Sequence, residues 1–118
     1  LCSAPSIESA AAYATIKDGK QYIIYDRSDF ETLSYIQSVR IMGHEVGHHY
    51  YNHTGYTGKS QKQEEIEADE FSGETLARLG FELSESINTI SVDDEGTDVH
   101  GTGPIRRKAI RRGWKRAW

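Results

Sequence analysis

Residues 44–48 read His-Glu-Val-Gly-His. On a helix, positions four apart lie on one face. His44 and His48 would then aim two imidazoles at one point, with Glu45 standing about 100° further round the axis. Two imidazoles chelating one ion, with a carboxylate close enough to take a proton from an activated water, are the working parts of a zinc hydrolase. The pentapeptide therefore predicts a helix around which the rest must assemble, and it requires a further ligand from elsewhere in the chain.

A catalytic zinc takes three protein ligands and keeps one position open. A third histidine in the same run would need Gly at 51 and His at 54, and the chain has Tyr51 and Thr54. The acidic stretch from Glu64 to Glu70 offers the other solution. Glu65 and Asp69 are four apart and share a face with Ala68, Leu76 and Leu79, the expected buried stripe. Unpaired buried charge is costly, so carboxylates on an inward face need partners. Glu65 is expected to ligate zinc, one ion per chain. Asp69 is expected to accept the outer N–H of a ligand histidine, His44 first, and so fix its tautomer. Glu64 and Glu67 compete for the ligand role, but their phase places them off that stripe, on an acidic face with Glu70. His49 and His53 have no place in this ligand set and read as structural or surface histidines. Gly47 lets another backbone approach the helix.

With 118 residues the chain is one domain with a small core, residues 1–8 forming a loose lead-in and 114–118 a basic tail. It begins at Leu1 and is expected to be processed or excised from something longer. No apolar run is long enough to span a bilayer, so membrane association would come only through segments outside this sequence. The single cysteine, Cys2, excludes an internal disulfide and reads as incidental rather than as an anchor or pairing site. The net charge of −4 conceals a split: seven of the fourteen basic residues lie at 106–116, leaving residues 1–105 at −11. Such a segment can address nucleic acid or an anionic membrane. The reading adopted is a solvated helix that pairs with the acidic body, with no nucleic acid expected.

Asp18-Gly19, between residues 10–16 and Gln21-Tyr-Ile-Ile-Tyr25, predicts an antiparallel hairpin turning at Lys17 to Lys20. Ser28 with Glu31 forms a capping box. The helical pattern then runs through Leu33, Ile36, Val39, Met42 and Val46, with a break expected near 34–38 and a stop at Thr54-Gly55. Ser60 with Gln63 caps a second helix that ends at Leu79, before Gly80. Ser84 is expected to cap a short helix through Ile87 and Ile90. Residues 93–103 read as a loop, and Pro104 opens a last helix ending near Arg112, before Gly113. The fold class is α+β: a small hairpin over the His44–His48 helix, a ligand-bearing second helix, and C-terminal helices, in a zincin-like arrangement. Metal should add folding stability as well as chemistry.

The runs H-E-V-G-H-H-Y-Y-N-H, E-I-E-A-D-E-F and H-G-T-G-P-I-R-R-K-A-I-R-R-G-W, covering about Ser9 to Trp114, resemble the M48-type gluzincin zinc metallopeptidases, the HtpX-like class, including small soluble versions of the bacterial envelope or secreted space. In this class His-Glu-x-x-His is followed by Glu-x-x-Ala-Asp and by a His-Pro segment with Arg six residues on. His44, Glu45, His48, Glu65 and Asp69 match. His100 and Arg106 match the spacing, with Gly101 in place of Pro. The resemblance implies that His100 assists catalysis as an oxyanion donor, and that Arg106 anchors its loop, binds substrate or forms a structural ion pair. It also implies that Ala10, Ala11 and Ala12, with Ser9 where the class has Asn, form a sheet edge that receives an extended peptide.

The activity expected is that of a zinc endopeptidase on peptide or protein substrates, with Glu45 as general base and later as proton donor to the leaving amine. Three rivals stand beside it. One is an antirepressor-type (ImmA/IrrE-like) regulatory zinc peptidase. Another is a non-catalytic, zinc-stapled binding module with a basic tail. The third is a fragment of a larger membrane protease, inactive alone.

Overall fold

Asp18 and Gly19 take φ of 54° and 75°, the left-handed pair that a two-residue hairpin needs to match strand twist. In the computed structural model, which describes residues 2–3, 11–53, 57–96 and 101–118, they join β2 (Ala12–Lys17) to β3 (Lys20–Tyr25). The register pairs Ala12 with Tyr25 and Lys17 with Lys20. A two-residue strand, β1 (Cys2–Ser3), lies parallel to β3 on its other side, giving the order β1-β3-β2. β2 is thus an edge strand. The Asp26 N–H donates to the Ala11 carbonyl at 2.8 Å, so residue 11 faces its partner strand. By antiparallel alternation, the N–H and C=O groups of Ala12, Ala14 and Ile16 point to the open edge.

Five helices follow: α1 (Arg27–Glu31), α2 (Tyr35–Tyr50), α3 (Gln61–Arg78), α4 (Leu83–Ile87) and α5 (Gly103–Arg116). Their starts obey side-chain chemistry. Asp26, not Ser28, caps α1, because its carboxylate reaches the Asp29 N–H. Ser34 caps α2 at the expected break, and Ser60 with Gln63 closes a reciprocal capping box on α3. Glu82 with Glu85, rather than Ser84, starts α4, which ends at Ile87 and not Ile90. α2 ends at Tyr50, ahead of the expected Thr54-Gly55 stop, whose residues lie outside the described set. Gly80, at φ 92°, lies just beyond the α3 C-cap Leu79. Gly113 does not stop α5. It lies buried inside the helix, where a Cβ would overlap the Glu70 carbonyl. Its role is close approach of two helices, which outweighs its low helix propensity.

The same device assembles the helical layer. On α2, Gly43 and Gly47 face α3; a Cβ at Gly47 would stand 2.9 Å from the Phe71 Cβ. On α3, a Cβ at Gly73 would overlap the Ile110 carbonyl of α5. Small residues thus bring α2, α3 and α5 to backbone contact, with β2 lying over α2. The apolar core is modest: Ala12, Ile23, Ala68, Leu76, Ala77, Ile87, Ile90, Ala109 and Ile110. Two residues expected on buried stripes, Val46 and Leu79, are exposed, because the interior face of α2 is Gly43, His44, Glu45 and Gly47 and that of α3 runs from Glu65 through Asp69 to Leu76 and Ala77. The acidic–basic split resolves partly within the fold: Arg112 pairs with Glu70, and Arg116 with Glu70 and Glu74. Arg107 donates to the Ile87 and Ile90 carbonyls at the end of α4. No helix among the described residues is long and apolar enough to cross a membrane.

Candidate metal centre

His44 and His48 are one turn apart on α2, and Gly43 and Gly47 beside them let α3 come close enough to add its own side chains. Their Nε2 atoms are 3.1 Å apart. Glu65, from the first half of α3, offers both carboxylate oxygens to the same point: Oε1 lies 3.4 Å from His44 Nε2 and Oε2 lies 2.6 Å from His48 Nε2. Ligand atoms about 2.0–2.1 Å from a tetrahedral zinc stand roughly 3.3 Å apart, so this triangle has the dimensions of a ligand face. The ligating atoms of His44, Glu45 and His48 also lie within 4.8 Å of one another, a group placed to bind a metal ion.

Charge supports the fit. Among the described residues, the buried ionisable groups are Glu45, Glu65, Asp69 and Asp26 on the acidic side, with His44 and Arg106 on the basic side. Asp26 is occupied as a helix cap away from this cluster. At the centre, three carboxylates therefore face one guanidinium, an imbalance of −2 when the histidines are neutral. Arg40 and Asp94, the next charged groups out, are of opposite sign and leave that balance unchanged. Buried charge needs compensation: in metal-free protein protonated His44 offsets part of it, and a divalent cation would take over that role once the histidine gives up its proton.

Each ligand candidate is held from behind. Asp69 Oδ1 lies 2.7 Å from His44 Nδ1. The Arg106 guanidinium closes on the same carboxylate, Nε donating to Oδ2 at 2.9 Å and Nη2 to Oδ1 at 3.1 Å. Arg106 comes from the first turns of α5, and of its three sequence-level alternatives the buried ion pair is the one it forms. His48 Nδ1 meets His53 Nδ1 at 2.9 Å, and His53 Nε2 meets Glu67 Oε1 at 2.8 Å. Of its two expected readings, structural or surface, His53 takes the structural one. Glu67, expected on a solvated acidic face, is partly buried and paired with His53 and Lys59. The helical-wheel reading put Glu67 off the inward stripe and could not register that the chain beyond α2 curls back to meet it. His49 is structural: its Nε2 lies 2.7 Å from the Tyr22 carbonyl of β3.

Glu45 faces the hairpin, where the Ala14 N–H pulls on its carboxyl. That is one of the open-edge amides, so the edge strand and the carboxylate share a corner. Ala12, the first residue of β2, also turns its backbone to this edge. Ala11 does not, because its carbonyl is taken by Asp26. Of the expected Ala10–Ala12 edge, Ala12 opens the strand beside the centre, β2 (Ala12–Lys17). Ala10 and His100 lie outside the described residues.

Burial pushes the Glu45 carboxyl above its ordinary value, against the pull of His44, His48 and the Ala14 amide. For His44, burial acts to lower the pKa, but the Asp69 charge and hydrogen bond outweigh it and raise the value from 6.5 to about 9. Asp69 resists the upward push of burial because His44 and Arg106 hold it well below the carboxylate range. The sign for His44 follows. In metal-free protein its contribution to stability is complete below pH 6.5 and is lost as pH rises through about 9. A metal ligand must give up its proton. At pH 7.5 metal binding should release about one proton from His44, read as the dependence of calorimetric enthalpy on buffer ionisation heat. Apparent affinity should rise about tenfold per pH unit until it levels near 9. A pH-independent affinity between 6.5 and 9 would contradict this.

Comparison with protein-family models, with curated proteins and with solved structures gives no match.

Proposed function

We propose that the protein is a zinc-dependent endopeptidase. The observation that carries the reading is the convergence of His44 Nε2, His48 Nε2 and the Glu65 carboxylate within 2.6–3.4 Å of one another, beside a buried Glu45 that faces an open strand edge. His44, His48 and Glu65 would hold the ion. When bound, zinc supplies Lewis acidity, bringing a water towards a pKa of about 7 and polarising a carbonyl.

The chain's own residues do the rest. Glu45 accepts the proton of the attacking water and returns it to the departing amine. Its raised pKa brings it closer to the operating pH, where one group serves both transfers best. The outward N–H and C=O groups of Ala12 and Ile16 are available to pair with an extended substrate, which would lay a peptide bond alongside Glu45. Asp69, backed by Arg106, keeps the His44 proton on Nδ1 and its lone pair on Nε2.

The test is cleavage of a mixed peptide library by the purified chain. Cleavage should occur with zinc, stop with chelator and return on zinc addition. Tight zinc binding without cleavage of any library member would instead favour the zinc-stapled binding module. Metal-independent cleavage would overturn the proposal.

A further inference from the structure

Seven basic residues lie on α5. Four of them are committed within the fold: Arg106 to Asp69, Arg107 to the carbonyls at the end of α4, Arg112 to Glu70, and Arg116 to Glu70 and Glu74. The other three, Lys108, Arg111 and Lys115, are exposed and form no ion pair among the described residues. They recur at intervals of three and four, so they stand within about 60° of one another along one face of the helix. The acids closest to hand are already engaged. Glu70 and Glu74 of α3 are paired with Arg112, Arg116 and Arg78, and Glu82 with Glu85 caps α4. The three cations therefore keep their charge for something outside the chain.

This row borders an uncovered aromatic face. Trp114 and Trp118 stand one helical turn beyond Arg111 and Lys115 respectively, and their rings are 5.9 Å apart. The Trp114 indole N–H donates to the Phe81 carbonyl at 2.9 Å. The Phe81 ring lies 5.8 Å from that of Tyr35, at the start of α2, and Leu79 precedes Phe81 by two residues. Trp114 and Phe81 are half-buried, but Trp118, Tyr35 and Leu79 are 78%, 73% and 58% exposed. Large apolar side chains left open on one connected face mark a contact surface.

We infer that this face docks the protein on an anionic lipid surface, with Trp118, Tyr35 and Leu79 entering the headgroup layer and Lys108, Arg111 and Lys115 meeting lipid phosphates. Tryptophan and tyrosine carry an apolar body with a polar tip, which suits the boundary between headgroups and acyl chains. Cations on long stems beside them add attraction to negative headgroups. A second copy of the chain fits less well, because a two-fold contact sets the same face on both sides and brings the cationic rows together. A nucleic acid would match the charge but would leave the aliphatic Leu79 without an apolar partner. Tyr35 lies thirteen residues before His48 on α2, and Leu79 fourteen beyond Glu65 along α3, about 20 Å in each case. Docking therefore leaves the metal centre uncovered. The sequence reading placed membrane association only in segments outside this chain; this face supplies it within the chain.

The test is cosedimentation of the full chain with vesicles of phosphatidylcholine, alone or mixed with an equal part of phosphatidylglycerol, with tryptophan emission followed in parallel. Wild type should bind the mixed vesicles about 100-fold more tightly than the neutral ones, at about fivefold per cation. Its emission should shift to shorter wavelength on binding, and the affinity should fall steeply between about 0.05 and about 0.5 M salt. The triple variant Lys108→Gln, Arg111→Gln, Lys115→Gln should lose that 100-fold preference, and Trp118→Ala should bind about tenfold more weakly than wild type. Both variants alter exposed side chains only, so their melting should match wild type. Equal binding to the two vesicle types, binding to neither, or wild-type affinity in the triple variant would overturn the proposal. Binding of duplex DNA without vesicle binding would reassign the face to nucleic acid, and a dimer dissociated by Trp118→Ala, again without vesicle binding, would reassign it to a second copy; each would overturn the proposal.

Discussion

Glu45→Gln should leave the protein folded and zinc-loaded while lowering kcat/KM for peptide cleavage by about 10²–10⁴-fold. Glu and Gln are nearly isosteric, and the amide oxygen of Gln can still accept from the Ala14 N–H that faces the native carboxyl. What is lost is the capacity to take a proton. The loss should fall on kcat, because the base acts only in the transition state. It should also remove the lower limb of the pH–rate profile, since that limb reports the free enzyme's base. Metal content should not change, because Glu65 rather than Glu45 completes the triangle with the two Nε2 atoms. Loss of zinc together with activity would make Glu45 a ligand. Retention of full activity would remove it from the chemistry.

Asp69→Asn should lower the stability of metal-free protein by about 3–5 kcal/mol, the range seen when one partner of a buried ion pair is removed. The native carboxylate, 2% exposed, faces His44 Nδ1 at 2.7 Å and two N–H groups of Arg106. An amide has one acceptor atom for these groups, and its own N–H₂ must face a donor. The Arg106 guanidinium then remains buried without a counter-charge. Melting followed by circular dichroism should show a fall of more than about 10 °C. The variant should also lose the native pH dependence. Asp69 has a depressed pKa, so its contribution is full above the ordinary carboxylate range and disappears as pH falls through its lower folded value. A melting temperature within about 2 °C of wild type would mean that water, not Asp69, solvates Arg106.

The sequence carried the local features well, because each rests on short-range chemistry. Asp18-Gly19 defined a hairpin through backbone sterics, Ser60 with Gln63 marked a helix start through two reciprocal hydrogen bonds, and His44 with His48 marked a shared helix face. Glu65 and Asp69 were legible because a carboxylate pair in phase with Ala68 and Leu76 has to be buried and therefore partnered. What stayed hidden was what depends on a third element. Gly113 looks like a helix stop until the Glu70 carbonyl is seen against it. Val46 and Leu79 look like core until glycines and charged groups are seen to occupy the interior faces. His53 and Glu67 are fourteen residues apart, on either side of a loop, and no periodicity links them. One signal was available: a histidine five residues past His48 and an acidic residue near Glu65 are what a ligand's outer nitrogen would need behind it. Small side chains marked Ala10–Ala12 as the edge, whereas hydrogen-bond alternation along β2 decides which amides face outward: those of Ala12 do and the Ala11 carbonyl does not.

The low apolar content and the buried charge belong together. Among the described residues, nine buried hydrophobic ones, four of them alanines, share the interior with nine polar or charged ones. A core of that kind stabilises little by area alone, so the pairing of its buried carboxylates with His44 and Arg106 matters more to the fold.

The most direct test is metal content by mass spectrometry on wild type beside Glu65→Ala and Glu64→Ala, after equilibration with one equivalent of zinc and removal of loosely bound ion. Wild type and Glu64→Ala should each retain one zinc per chain, and Glu65→Ala should retain none. Retention of zinc by Glu65→Ala, or its absence from wild type, would contradict the convergence of two α2 histidines and one α3 carboxylate on a single ion.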